Sequence, residues 1–348
     1  MKTKLIGIAV MLAVVLAGGG YYFYRSQTKV TTLNGYLGGE KIGLFDDEEV
    51  QDILQSEYHL ELNYSRAGSM DMVTSDFTDR DYLFPSSKTA LEYYNDLHGK
   101  PVSSEIIFNT PIVLYSHQII ADVLLQEGIV TESNGIYYAD MQKLTECILN
   151  GTQWSDLGLT ELYGAVTVDT TDPVRSNSGN MFAALLACAL NGGKTVDTNS
   201  VDAVLPELQK IFSQLGYMET SSSDLFNQFL RMGVGAKPII AGYENQLIEY
   251  AAENPDSYAK IKDDIVIIYP TPTVWSTHIY IALDEEGKAG IEALSDDQVQ
   301  ELAWKKHGFR TDSCDIASAD FSGVPEQITA VINMPDYDTM KKIMDGLK

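Results

Sequence analysis

VDTTDPVRSNSGNMFAALLACALNGG, residues 168–193, is the stretch on which the reading turns. A β-branched start, Val168 to Thr171, gives way to Asp172-Pro173. The run from Asn180 to Leu190 then predicts a buried helix that stops at Asn191-Gly192-Gly193. One side-chain acceptor suffices to cap a helix, and Ser176, Asn177 or Ser178 is expected to supply it. Yet Asp172, Arg175, Ser176, Asn177 and Ser178 all crowd this start, with Gly179 behind them. Surplus donors and an arginine at a strand-to-helix turn suit a bound anion, because the first N–H groups are free, the dipole end is positive and the guanidinium offers a fork. Arg175, Ser176, Asn177, Ser178, Gly179 and Asn180 are therefore candidate ligand residues, with Asp172 fixing the loop or orienting Arg175.

Similar turns recur along the chain. "YSRAGSM" ends a strand at Gly68-Ser69, and "YLFPSSKTALEYYNDLHG" sets Ser86-Ser87 before a helix closed by Gly99. "SSSDLFNQFLRMGVG" places Ser221 to Ser223 before an amphipathic helix, and "DDEEVQDILQSEY" opens another with a D-x-x-E box at Asp46 and Glu49. Continuous apolar strands alternating with helices predict an α/β chain whose sheets are mostly parallel and covered on both faces. "EIIFNTPIVLYS" and "DIVIIYP" followed by "STHIYIAL" are extended enough to cross between two lobes as a hinge. The expected division is a leader over 1–28, a discontinuous first lobe from 29–112 with 280–348, and a second lobe over 113–279.

The totals exclude some functions. A formal net charge of −25 over 348 residues argues against a nucleic-acid partner, which demands a basic face. The three cysteines, Cys147, Cys188 and Cys314, are too few and too dispersed for a disulfide framework. Lys2 and Lys4 precede an uncharged run from Leu5 to Tyr24, closed by Arg25. At about 20 residues it would span the hydrocarbon core as a helix, with the later residues outside the cell. It is either an uncleaved membrane anchor or a signal peptide; Gly18 stands where a lipoprotein would need Cys.

Catalytic motifs are missing or broken. "NGGKT" at 191–195 has Cys188 where a phosphate-binding loop needs Gly, and it follows a helix rather than a strand. No G-x-S-x-G elbow surrounds Ser178. His59, His98, His117, His278 and His307 lie in separate elements without zinc-site spacing. Tyr243-Glu244 could form a catalytic pair, but a Glu at a helix start equally serves the dipole. No enzyme activity, cofactor or metal is expected.

The order of the motifs resembles the type 2 periplasmic solute-binding proteins of ABC transporters, in the branch with phosphate-, sulfate- and molybdate-binding members. "TDPVRSNSG" is similar to the RSxxSGT turn of phosphate binders at Arg175, Ser178 and Gly179, with Asn180 in place of Thr. "AKPIIAGYENQL" resembles the molybdate-type strand and turn, which makes Tyr243 a ligand candidate, and "QELAWKKHGFR" resembles the closing helix of many members. "GGEKIGLFDDEEV" and "YSRAGSM" stand where the first two ligand loops would be, adding Gly39, Lys41, Gly68 and Ser69, with Ser86 and Ser87 from the next turn. The whole is most similar to anchored solute-binding proteins of Gram-positive bacteria. The resemblance implies two lobes that close on a small anion, a monomer, and an ABC permease or membrane sensor as partner. A surface adhesion protein on the same fold is the alternative.

Overall fold

The computed structural model describes residues 29–311, 321 and 323–348. The N-terminal apolar run and Cys314 lie outside the described residues. In chain order the elements are β1 (Thr31–Leu37), α1 (Ile42–Asp46), α2 (Glu48–Tyr58), β2 (Leu60–Arg66), α3 (Ser69–Thr74), β3 (Tyr82–Phe84), α4 (Lys88–His98) and the long β4 (Ser103–His117). Next come α5 (Gln118–Gln126), β5 (Val130–Ser133), β6 (Ile136–Asp140), α6 (Met141–Leu149), α7 (Asn177–Leu190), α8 (Val201–Ser213), α9 (Ser222–Met232), β7 (Ile239–Tyr243), α10 (Asn245–Glu253) and α11 (Pro255–Ile261). The chain finishes with β8 (Ile265–Thr271), β9 (Trp275–Ala282), α12 (Lys288–Leu294), α13 (Asp297–Lys305) and α14 (Tyr337–Gly346).

The strands run in the order β2-β1-β3-β9-β4-β8-β6-β5, with β7 also on β4. From Ser103 to Pro111, β4 pairs with β9; from Ile112 onward it pairs with β7 and β8. One strand thus leaves the first sheet and enters the second, and β8 followed by β9 makes the return crossing. Along β4 the side chains alternate as a strand requires. Ile112 and Leu114 enter one core and Val113 and Tyr115 enter the core on the opposite face.

The pairing corrects one expectation. β1–β2, β1–β3 and β6–β8 are parallel, but β3–β9, β4–β9, β4–β7, β4–β8 and β5–β6 are antiparallel. The sheets are mixed, not mostly parallel. A strand covered on both faces is apolar throughout whichever way its neighbour runs, so the pattern carried no direction.

The first lobe closes on Leu33, Leu37, Phe84, Phe108 and Tyr280, with α13 contributing Val299 and Ala303. In the second lobe α7 is the central helix, buried from Ser178 to Ala189. A helix apolar on every side belongs inside a core. The chain end departs from the expected division. Met340 and Ile343 of α14 are fully buried in the second lobe's core, and Ile332 and Met334 pack on it, so this segment docks there rather than on the first lobe. An amphipathic stripe demands an apolar groove but does not say which one. Tyr337 then stacks on Tyr93 of α4 at 4.6 Å, linking α14 to the first lobe as well.

Candidate functional site

Between the lobes lies a cavity of about 330 Å³. The first lobe lines it with Gly38, Gly39, Glu40, Arg66, Ala67, Gly68, Ser69 and Asp71. The second lines it with Arg175, Ser176, Asn177, Thr220, Ser221, Ser222, Asp224 and Tyr243.

Four helical starts meet here: the 3-10 turn Gly39–Lys41, α3, α7 and α9. Their N-cap residues are Gly38, Gly68, Ser176 and Ser221, and none makes a side-chain cap hydrogen bond. Away from the cavity, Asp47, Asp140, Asp296 and Asp336 each cap a helix with their carboxylates, while α4, α5, α8, α10, α11 and α12 also start without a side-chain cap. The first-turn N–H groups of α7 and α9 are thus left without side-chain acceptors at the cavity wall. This corrects the expectation that Ser176, Asn177 or Ser178 caps α7. Ser176 Oγ instead bonds Ser178 Oγ at 3.1 Å, and Ser178 Oγ bonds Thr171 Oγ1 at 2.7 Å.

Asp172 fixes the loop before α7, accepting the N–H groups of Val174 at 2.8 Å and Arg175 at 3.3 Å. The Arg175 side chain is exposed and makes no ion pair among the described residues. Gly179 is needed for packing, because a Cβ there would sit 2.1 Å from the Thr171 carbonyl oxygen. Asn180 is buried and donates to the Pro173 carbonyl at 3.3 Å. Asn177 ties the lobes together: its Nδ2 donates to the Ser86 carbonyl at 2.9 Å and to the Tyr243 hydroxyl at 2.9 Å.

The floor is a buried polar chain. Lys41 Nζ, with no exposed surface, reaches Glu40 Oε1 at 2.5 Å, Ser86 Oγ at 2.7 Å and His278 Nδ1 at 3.2 Å. Three acceptors match the three protons of an ammonium. Ser86 Oγ also donates to Glu40 Oε1. Burial alone would raise the Glu40 carboxyl, but the Lys41 charge and the hydrogen bonds from Lys41 and Ser86 outweigh it and hold its pKa at about 2. Burial pulls Lys41 below the usual lysine range despite Glu40, and burial with Lys41 keeps His278 neutral. The contacts of His278 agree, since Nδ1 accepts from Lys41 while Nε2 lies 3.4 Å from Ser276 Oγ. Tyr243, its ring buried, has its hydroxyl raised above the usual range by burial and by Glu40.

Of the residues singled out from sequence, Gly39, Gly68, Ser69, Arg175, Ser176, Asn177 and Tyr243 line the cavity. Lys41, Ser86, Ser87, Ser178, Gly179 and Asn180 do not; all are buried behind it. Sequence reasoning missed Glu40, Arg66, Asp71, Thr220 and Asp224. Each adjoins a turn already marked, so the turns were informative and the choice of side chain within them was not. Arg66 and Asp224 face each other across the mouth at 3.7 Å, both about half exposed. Glu244 is taken up by structure: fully buried, it meets Arg310 Nε at 2.6 Å and Nη2 at 2.8 Å and accepts from Tyr269 at 2.6 Å.

Two α/β lobes joined by crossing strands, with a cavity in the cleft, make a fold that is similar to those of periplasmic and substrate-binding proteins of ABC transporters. Several solved structures share the fold. A sulfate-binding protein from Mycobacterium tuberculosis matches with a TM-score of 0.58 at 14% identity, over 90% of this chain and 98% of that one. The substrate-binding protein of an ABC transporter from Agrobacterium tumefaciens matches at 0.56 and 12%, over 92% and 95%. A periplasmic binding protein from Actinobacillus pleuropneumoniae, with fructose-6-phosphate bound, matches at 0.55 and 13%, over 90% and 96%. No protein-family model matches the chain, and no curated protein does.

Proposed function

We propose that the chain is an extracytoplasmic receptor that captures a small anionic ligand between its lobes and presents it to an ABC permease or membrane sensor. The observation that carries this is the set of helix starts without side-chain caps from both lobes around one cavity, joined by an arginine that makes no ion pair among the described residues. Free N–H groups at positive dipole ends, with a guanidinium beside them, favour negative charge. Of the solved neighbours, one is named as sulfate-binding and one holds a sugar phosphate, which supports the reading, while two are named as ferric-binding. The overall charge of −25 does not oppose it, because exposed charges beyond about 8–10 Å are screened at physiological salt. The apolar run from Leu5 to Tyr24 would hold the receptor at the outer face of the membrane or direct its export.

The test is thermal unfolding of the full-length chain with sulfate, hydrogenphosphate, carboxylates and sugar phosphates, set against amino acids and divalent cations. A ligand at 100 times its Kd adds about 2.7 kcal/mol of stability. An anion that raises the melting temperature supports the reading. A response confined to cations, or none, refutes it.

A further inference from the structure

Glu40 sits oddly in a site for anions. Its carboxylate lies on the cavity floor, its side chain is only 9% exposed, and it is held ionised. Every hydrogen bond it accepts among the described residues goes to Oε1, from Lys41 and Ser86. Oε2 has no partner. The placement is built in: a Cβ on Gly38 would fall 2.5 Å from Oε2, so only glycine lets the carboxylate fold back against the turn. Water satisfies such an acceptor when no ligand is bound, and a ligand that displaces that water without offering a donor loses affinity.

Resting on the anion-receptor reading, we propose that Glu40 selects for a hydrogen-bond donor on the ligand. The anion that fits is then a hydroxylated organic one, such as a sugar phosphate or sugar acid, rather than a bare tetrahedral oxyanion. Charge and size agree. Lys41 neutralises Glu40, so an anion can approach the floor without net repulsion. A bare sulfate presents only acceptors, lone pair against lone pair, to Oε2. A cavity of about 330 Å³ falls within the range for small organic ligands, roughly 300–1,000 Å³, and four oxygens around one centre would leave most of it empty. The anionic group would take the uncapped N-termini and Arg175, and a hydroxyl would donate to Oε2.

The experiment is isothermal titration of the full-length chain with matched probes. Ribose 5-phosphate and glycerol phosphate are set against propyl phosphate, and gluconate against hexanoate, with sulfate and hydrogenphosphate alongside. At least one hydroxylated member should bind tenfold or more tighter than its bare counterpart and than sulfate, since a site built for a hydroxyl rejects the analogue lacking it. Glu40→Gln alone strands Lys41 in the interior. The double variant Glu40→Met with Lys41→Met removes the charge pair and the acceptor together and should cut the preference below threefold. Sulfate or an alkyl probe binding as tightly as its hydroxylated partner overturns the inference while leaving the receptor reading intact. So does a preference that survives in the double variant. If hydrogenphosphate alone is preferred over sulfate, the donor rule stands and the organic class falls. No binding by any anion refutes the receptor reading and this inference with it.

Discussion

Replacing Arg175 by alanine separates a ligand role from a structural one. The side chain is exposed, makes no ion pair among the described residues, and leaves the loop's support to Asp172, whose carboxylate holds the backbone N–H groups of Val174 and Arg175. Removing the guanidinium therefore breaks nothing that holds the loop. Surface changes of this kind stay within about 0.5 kcal/mol, which for a chain of this size shifts the melting temperature by roughly 1 °C or less. In the complex the same group would make charge-assisted hydrogen bonds worth about 1.5–3 kcal/mol, a loss of roughly 10- to 150-fold in affinity. Calorimetric titration with the tightest anion found in the thermal screen measures one quantity, and unfolding of the ligand-free variant measures the other. An unliganded melting temperature several degrees lower, with affinity unchanged within threefold, would refute the assignment.

The other predictions use different readouts. A Cβ on Gly68 would lie 2.8 Å from the Arg175 carbonyl oxygen across the cleft. Gly68→Ala should hold the lobes apart, raising the radius of gyration by small-angle scattering and weakening ligand binding with little loss of stability. Glu244→Gln breaks a buried ion pair with Arg310 and should cost about 3–5 kcal/mol in denaturant unfolding. Glu40 has its folded pKa depressed from 4.5 to about 2. Its contribution is present above pH 4.5 and is lost as pH falls towards 2, about 3 kcal/mol in gross terms; the Glu40→Met/Lys41→Met protein should lose less stability over that window. The full-length chain should fractionate with membranes, and a mature protein starting after Gly20 in the medium would show a cleaved signal instead.

Local signals were legible where one residue decides a local outcome. Gly233 ends α9 and Gly99 ends α4, as the sequence suggests, and Asp296 caps α13. The cap of α2 is Asp47 rather than Asp46, one position from the expected box. The two crossings were visible because β4 and the β8–β9 pair are long and apolar with prolines inside them. What the sequence concealed depends on partners remote in the chain. Lys41 looked like a ligand group because a lysine in a glycine turn is normally solvated; it lies inside because Ser86 and His278, 45 and 237 positions away, supply acceptors. Ser176 looked like a cap because serine before a helix usually is one. Its hydroxyl turns to Ser178 instead, itself bonded to Thr171, which only the folded loop brings into reach.

The contacts between the lobes are unevenly distributed, and this bears on how a ligand could act. Away from the cavity they are strong and buried. Arg310 grips Glu244 with two nitrogens, and the His307 ring bridges Glu249 Oε1 at 2.7 Å and Asp47 Oδ2 at 3.2 Å, carboxylates from opposite lobes. At the cavity mouth the direct link is Arg66 to Asp224 at 3.7 Å with both side chains about half exposed. Pairs of that kind contribute about 0–1 kcal/mol. Asn177 adds one hydrogen bond to the Ser86 carbonyl, worth about 1 kcal/mol net. The protein's own links at the mouth are thus worth about 1–2 kcal/mol, a factor of about 5–30 in any equilibrium between open and closed forms. On the proposed function, a ligand bridging Arg175 and the α7 start on one side to Glu40 and Ser69 on the other would bind the closed form in preference to the open one. Differential affinity of about 5.5 kcal/mol is what carries such an equilibrium from one extreme to the other, and two or three charge-assisted bonds reach it. A pivot fixed by the Arg310–Glu244 ion pair and the His307 bridge, with only weak links at the mouth, would make closure a report on occupancy rather than on the fold.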